Sequence, residues 1–424
     1  MTVWIENPFD NLPAEGFRPQ RYWLMAEAFA RAGHAVTLWT SDFSHAKKAP
    51  RTLSKAEAPF RLKLVKTPPY SGNVSFKRIA SHRTYAANWL ADARAEARES
   101  GKPDVIVVSM PPLSTADAAL AMKREFGAKI VVDVMDAWPE TFYRLLPKPL
   151  RFLGAIPLLP LHAAASRAYR GADLVTGVCD AYEKIAFSYG ARSYARFYHG
   201  VSIPAGRGAR TTDRESRLSF VYAGNFGRGY DLSAAIKAVL ENEEATLDIA
   251  GAGEREAEWR ALAAHSPRIR FHGYLSGDEL DNLLGKSAIG VIPLSDDTFV
   301  GLPYKLGDYA AHNLRMVTSL RGECAAILER HSAGAVYDAK DPSSFMTAAK
   351  KVQASTPDFD SLLSELDAEK IYASYVDRIS ALAHKLEMED ALAEARVAAS
   401  EADIRAGRFS KGTADELMAE LMEG

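Results

Sequence analysis

Short apolar runs alternate with amphipathic helical patterns along almost the whole chain, and that alternation leaves few folds open. Asp104–Ser109 (DVIVVS) and Lys129–Asp133 (KIVVD) are near-continuous apolar runs, as strands covered on both faces are. Joined by helices such as Thr115–Phe126, strands of this kind build parallel sheets with helices on both sides. The pattern opens with a strand at Thr2–Glu6, a helix at Pro19–Ala32 stopped by Gly33, and a strand at Ala35–Thr40. It continues with a strand at Arg61–Lys66, a long helix at Ser81–Ser100, a strand at Asp173–Val178 and a helix at Asp180–Tyr189.

The alternation then breaks. Gly200–Arg217 is rich in Gly, Arg and Ser, lacks apolar periodicity and reads as an interdomain linker. Strands restart at Leu218–Ala223, Ala245–Ala250, Arg268–Phe271, Ile289–Pro293 and Met316–Leu320. Helices fall at Leu232–Leu240, Glu254–His265 and Gly277–Ser287. The expected fold is α/β, with two Rossmann-like domains facing across a cleft, residues 1–205 and 206–367. A closing helix, 368–386, and a helical tail, 387–424, would follow. In the tail, Leu417, Met418, Leu421 and Met422 form a short apolar stripe, open to two readings: an oligomer contact or an ordinary solvated helix.

The 424 residues suffice for two domains with a large core, and 47% hydrophobic with 25% charged residues is globular composition. A net charge of −2 implies no nucleic-acid partner. The two cysteines, Cys179 and Cys324, lie far apart, match no metal spacing and fit a reducing cytoplasm. The N-terminal MTVWIENPFDNLP does not read as a signal peptide, and no uncharged apolar run reaches the ~18–20 residues of a membrane span. Phe142–Arg170 combines an apolar run with Arg144, Lys148, Arg151, Arg167 and Arg170. It suits either a peripheral contact at the inner face of a membrane or a buried helix pair.

Chemistry concentrates in Val300–Tyr309 (VGLPYKLGDY), between a strand and a helix, where α/β proteins hold phosphorylated ligands. Lys305 offers a cation for phosphate, and Asp308, one helical turn on, offers a carboxylate for sugar hydroxyls. That pair suits a nucleotide-sugar diphosphate, although an ordinary i,i+3 surface ion pair has the same spacing.

Four segments of the second half resemble the nucleotide-sugar domain of family-four glycosyltransferases with the GT-B fold. They are Tyr222–Gly229 (YAGNFGRG), Ile249–Glu254 (IAGAGE), Phe271–Leu275 with the helix start Ser276–Leu280, and Leu302–Tyr309. Gly16, the helix end Ala32–Val36 and Asp133–Glu140 (DVMDAWPE) resemble the acceptor domain of the same enzymes. The form PYKLGDY is similar to that of bacterial polysaccharide enzymes with a lysine in the loop. There is one departure: where many members carry two glutamates separated by seven residues, this chain has Val300 and Asp308.

The resemblance implies transfer of a sugar from a UDP- or GDP-linked donor to a glycan or polyprenyl-linked acceptor, retaining and without an obligatory metal or other cofactor. No Asp-x-Asp pair falls in a loop suited to a divalent ion near a diphosphate. Donor-binding candidates are Gly16, Gly224, Asn225, Gly251, Gly253, Tyr274, Leu275, Leu302, Pro303, Tyr304 and Asp308. Gly224 would let the backbone approach a diphosphate. Tyr274 and Leu275 would flank the base or belong to the core. The catalytic candidates are Lys305, Arg228 and Asp136. Lys305 would neutralise the leaving diphosphate, and Arg228 would clamp the phosphates or be a solvated charge. Asp133 and Asp136 would orient an acceptor hydroxyl or take its proton, or cap the next helix. Arg18 and Arg21 follow Gly16 at a helix start and face either ligand or solvent. His199 is given no chemical role. Two rival readings stay open: a nucleotide-sugar epimerase of the same fold, and a non-catalytic scaffold of a polysaccharide assembly complex.

Overall fold

The structure, a computed structural model, describes residues 1–52, 58–72, 75–145, 154–203, 218–275, 277–295 and 300–384. Met1–Val376 is one compact unit, and Asp377–Gly424 is a second, of which 377–384 are described and helical. The tail 387–424 and most of the expected linker, 204–217, lie outside the described residues.

The first sheet contains β1 (Thr2–Glu6), β2 (Ala35–Ser41), β5 (Arg61–Val65), β6 (Val105–Met110), β7 (Lys129–Val134), β8 (Leu174–Gly177) and β9 (Tyr194–Arg196). A small antiparallel hairpin, β3 (Phe43–Ser44) with β4 (Ala49–Pro50), projects after β2. The sheet order is β5-β2-β1-β6-β7-β8-β9, and every pairing in it is parallel. All six residues of β6 are buried, the continuous apolar pattern of a central strand.

The second sheet contains β10 (Ser219–Ala223), β11 (Thr246–Ala250), β12 (Ile269–Gly273), β13 (Ile289–Ile292), β14 (Arg315–Thr318) and β15 (Gly334–Val336). Its order is β12-β11-β10-β13-β14-β15, again all parallel. Each sheet reverses its winding beside its first strand, between β1 and β6 and between β10 and β13. The loops diverge at such switch points and leave a crevice at the carboxyl ends of the strands.

The helix after β1 is Arg21–Arg31, two residues shorter at its start than expected, because Gln20 precedes the first turn in extended backbone. The long helix starts earlier than expected, at Phe76, where Ser75 caps it by accepting from Arg78 N–H. Ala155–Gly171 is helical despite Pro160. Its last turns pack Ala164, Ala165, Ala168 and Tyr169 into the first core, while Ile156 and Leu159 are exposed.

The chain crosses between the two sheets twice, and the two crossings are hydrogen-bonded to each other. Val201 N–H donates to Leu366 C=O at 2.8 Å and Ala368 N–H donates to Val201 C=O at 3.1 Å. A side chain at Gly200 would meet Ala368 Cα at 2.6 Å, so only glycine permits this approach. The helix beginning at Ala368 then returns to the first sheet, where Tyr375 packs edge-on against Phe197 and Phe29.

Candidate functional site

At the switch point of the second sheet the loops after β10 and β11 interlock. Gly224 N–H donates to Ala250 C=O at 2.9 Å, Phe226 N–H to Ala252 C=O at 3.0 Å, and Gly251 N–H to Gly273 C=O at 2.7 Å. The glycines are sterically required. A Cβ on Gly251 (φ 127°) would sit 1.9 Å from the Gly224 carbonyl oxygen. One on Gly253 (φ 156°) would sit 2.8 Å from Asn225 Oδ1, and one on Gly224 (φ 150°) would sit 2.5 Å from Lys305 Nζ. Gly224, Asn225, Gly251, Gly253 and Lys305 are thus brought together.

Lys305 opens the short helix Lys305–Ala311, which Tyr309 fixes to the switch point. The Tyr309 hydroxyl accepts from Ala223 N–H at 3.1 Å and donates to Val291 C=O, bridging the ends of β10 and β13. From there the Lys305 side chain runs under Gly224. Its ammonium lies 5.0 Å and 4.5 Å from the ring centroids of Tyr222 and Tyr230. Among the described residues it has no carboxylate within ion-pair distance. Burial pushes its pKa down to about 8, with Asp308 pulling the other way.

Asp308 lines a cavity of about 340 Å³ between the domains, with Arg18, Gln20, His199, Tyr304 and Asp281. Burial raises its carboxyl above the ordinary range, against the pull of Arg18, Lys305 and His312. Leu302 and Pro303 form part of the same wall. Tyr304 stacks on His199 with 3.8 Å between ring centroids. His199 is buried, its Nδ1 has no hydrogen-bond partner among the described residues, and burial with the nearby Arg21 charge pushes its pKa down to about 3. Val300 packs against the apolar cluster of the second domain, so its position serves the core.

Arg18 reaches across the cleft to Asp281, which also faces His312 Nε2 at 2.9 Å. Gly16 supplies the left-handed residue (φ 85°) that ends the short turn Pro13–Glu15, with open space around it. Arg228 has an 85% exposed side chain and pairs with Glu254 at 3.3 Å on the outer rim. Tyr274 is 76% exposed beyond the end of β12, and Leu275 beside it is half-buried.

Two expectations on the first domain are corrected. Asp133 does not face an acceptor: it is fully buried and holds Arg21 through two 2.8 Å hydrogen bonds, with Thr176 Oγ1 donating at 2.6 Å. Arg21 is no solvated helix start, since its Nη1 also donates to the carbonyls of Phe197 and Tyr198. The pair anchors the segment that leads into the first interdomain crossing. Asp136 is half-buried and accepts from Thr141 Oγ1 at 3.0 Å. In the basic-apolar segment, Arg167 pairs with Asp117 and Arg170 donates to Tyr189 C=O, while Lys148 and Arg151 lie outside the described residues.

The sequence reading gave His199 no chemical role, quoted Tyr222 only as part of a segment and did not single out Tyr230. Their setting depends on loops that meet only in the fold, and a single histidine or tyrosine carries no pattern of its own. Among the described residues no group of three or more His, Cys, Asp or Glu is placed to hold a metal ion, and no helix is long and apolar enough to cross a membrane. Asp358 caps the helix Phe359–Glu365 by accepting from Ser361 N–H.

Residues 20–211 match the family described as Glycosyl transferase 4-like domain, and residues 217–355 match Glycosyl transferases group 1. A comparison with curated proteins finds no match. Among solved structures, the chain is similar to a sucrose-phosphate synthase from Thermosynechococcus elongatus, at 12% identity over 94% of this chain and 99% of that one, TM-score 0.64. It is similar to HepE of Anabaena in complex with UDP-glucose, at 12% identity over 90% of this chain and 100% of that one, TM-score 0.59. It is also similar to the lipopolysaccharide outer core galactosyltransferase WaaB, at 12% identity over 90% of this chain and 99% of that one, TM-score 0.60. Two family matches in series, laid over two Rossmann-like domains, make this chain a group 1 glycosyltransferase of the family-four type with the GT-B fold.

Proposed function

We propose that this glycosyltransferase takes its sugar from a nucleoside-diphosphate donor held at the switch point of the second domain. The observation that carries the reading is Lys305: a desolvated ammonium under the Gly224 turn, with no carboxylate partner among the described residues. A diphosphate would supply the missing charge, and backbone N–H groups of the glycine loops would bind its oxygens. Asp308 would accept from the ribose hydroxyls. Asn225, Leu275, Tyr274 and the wall formed by Leu302, Pro303 and Tyr304 would surround the rest of the donor. Arg228 would join the phosphates by exchanging Glu254 for them.

In the reaction the bond from the anomeric carbon to the β-phosphate oxygen breaks. The acceptor oxygen bonds to that carbon and its proton leaves with the departing diphosphate. Lys305 would stabilise the charge that develops on the leaving group, and Asp136 would orient the acceptor. The transfer retains anomeric configuration, needs no obligatory metal and builds a glycan or lipid-linked glycan of a surface polysaccharide. HepE, whose structure holds UDP-glucose, and the lipopolysaccharide enzyme WaaB support the donor class and the pathway. The exposed Ile156 and Leu159 support a peripheral membrane contact at the inner face of the cytoplasmic membrane.

The test is calorimetric titration of the full chain with UDP, GDP and their common sugars, with and without EDTA. Saturable binding of one nucleotide, abolished in Lys305→Ala, is the expected result. Absence of binding to any of them would overturn the reading in favour of a scaffold. Conversion of a nucleotide sugar without an acceptor would make the enzyme an epimerase.

A further inference from the structure

The first sheet carries its own cationic cluster, at the carboxyl ends of its strands and apart from Lys305. Phe9 comes from the loop after β1, His45 and Lys48 from the β3–β4 hairpin, and Tyr70 from the segment after β5. Arg78 and His82 come from one face of the helix Phe76–Glu99, and Trp138 from the turn after β7. These residues are scattered over 130 positions of sequence, yet they form one connected group.

Lys48 Nζ lies 3.1 Å from His45 Nδ1, which lies 2.5 Å from the Tyr70 hydroxyl. Arg78 Nε donates to His82 Nε2 at 3.3 Å. The Phe9 ring sits between the two imidazoles, 5.3 Å from His45 and 5.1 Å from His82. The Arg78 guanidinium lies over Phe9 at 5.5 Å and over Trp138 at 5.8 Å, and the Lys48 ammonium lies over Tyr70 at 4.8 Å. Aromatic faces support cations here, and both imidazoles are held neutral: burial with the charges of Lys48 and Arg78 pushes His45 down to about 3, and burial with Arg78 and His45 pushes His82 down to about 3.

The carboxylates around the cluster among the described residues are each engaged in their own way. Asp136 acts on Arg78. Asp10 is turned to Asn7 and is pushed up to about 7 by burial. Glu15 takes Arg51. Burial disfavours the charged forms of both Lys48 and Arg78, so the fold concentrates positive charge where water solvates it poorly. An anion bound between them would relieve that cost, and Arg with Lys beside aromatic rings suits a phosphate ester with an apolar or sugar substituent.

We infer that this cluster, with Lys48 and Arg78 as the charged pair and Phe9, His45, His82 and Trp138 as its walls, binds the phosphate group of a phosphorylated acceptor. The inference rests on the glycosyltransferase reading above and names the acceptor's class. It places the acceptor's phosphate on the first domain and the donor's diphosphate on the second, across the cleft. The phosphate could belong to a lipid carrier or to a water-soluble sugar phosphate, and the experiment separates them.

The experiment is calorimetry on the full chain with four probes: UDP for the second domain, and farnesyl diphosphate, glucose 1-phosphate and inorganic pyrophosphate for the first. In the unmodified protein at least one of the last three binds alongside saturating UDP. Arg78→Gln and Lys48→Gln each weaken that binding by about tenfold or more and leave UDP affinity within about twofold, which also shows that the variants fold. Lys305→Ala does the reverse. Preference for farnesyl diphosphate over the soluble probes identifies a lipid carrier, and preference for glucose 1-phosphate a soluble acceptor. Either supports the site. A protein that binds UDP but none of the three, or binds them equally well after Arg78→Gln, overturns the inference and leaves the donor reading standing. A protein that binds neither UDP nor GDP overturns the donor reading itself; where GDP is the nucleotide that binds, it takes the place of UDP in every arm.

Discussion

Arg21 and Asp133 face each other through two hydrogen bonds of 2.8 Å, and neither side chain touches solvent. They join the start of the first helix to the end of β7 and, through the carbonyls of Phe197 and Tyr198, to the segment that leaves the first domain. Asp133→Asn would leave the Arg21 charge buried with half its partner gone. The expected loss is about 3–5 kcal/mol of stability, read as a shift of the denaturant midpoint. A change below about 0.5 kcal/mol would show that the pair contributes nothing net.

Gly251→Ala should disable the proposed donor site, because its Cβ would lie 1.9 Å from the Gly224 carbonyl oxygen and the backbone there has φ 127°. Gly227→Ala is the control, since its Cβ would meet Asn225 Oδ1 at an ordinary 3.5 Å. Nucleotide titration should show a loss of about tenfold or more for the first and little for the second. Equal effects would remove the steric argument.

Lys305 carries its charge at a cost to stability. With its pKa pushed down to about 8, the ammonium loses its proton in the mildly alkaline range. Nucleotide affinity should therefore fall by about tenfold per pH unit well above 8. Lys305→Met should abolish binding and raise the melting temperature by about 2 °C. Melting scans of both proteins without ligand check the second half, and a lower value for Lys305→Met would contradict it.

Glu6 gives stability a pH dependence of its own. Folded, its fully buried carboxyl is pushed up to about 8 by desolvation, whereas the unfolded chain titrates near 4.5. Between those values the folded state binds more protons than the unfolded state, so stability falls as pH rises through that window. Glu6→Gln should be more stable than the unmodified protein at pH 8 by on the order of 1–3 kcal/mol, and similar to it near pH 5. Urea unfolding at the two pH values measures the difference.

Much of this was legible beforehand because the relevant signals are local. Continuous apolar runs located β6, β7, β10, β11 and β13 to within a residue or two, since a strand covered on both faces has nothing else to be made of. The glycines and Lys305 were legible because a strand, a turn that needs left-handed or crowded backbone and a helix start follow one another within a few residues. What stayed hidden depends on distant partners. Asp133 lies 112 residues from Arg21, and Arg18 lies 263 residues from Asp281. Tyr304 and His199 meet only because the two domains do. The three-residue strands β9 and β15 are too short to show a period, and Pro160 masks a helix whose neighbours compensate for it.

The paired crossings at Val201 and Ala368 bear on how this protein can be divided. The polypeptide that completes the first domain is not contiguous with it: Tyr372 and Tyr375 arrive only after the whole second domain has been traversed. A fragment ending near residue 200 would lack the rings that pack beside Arg21 and Phe197. On the ribosome, the core of the first domain is complete in sequence by Ala191, but the ring that covers Arg21 and Phe197 emerges only after the second domain has been synthesised.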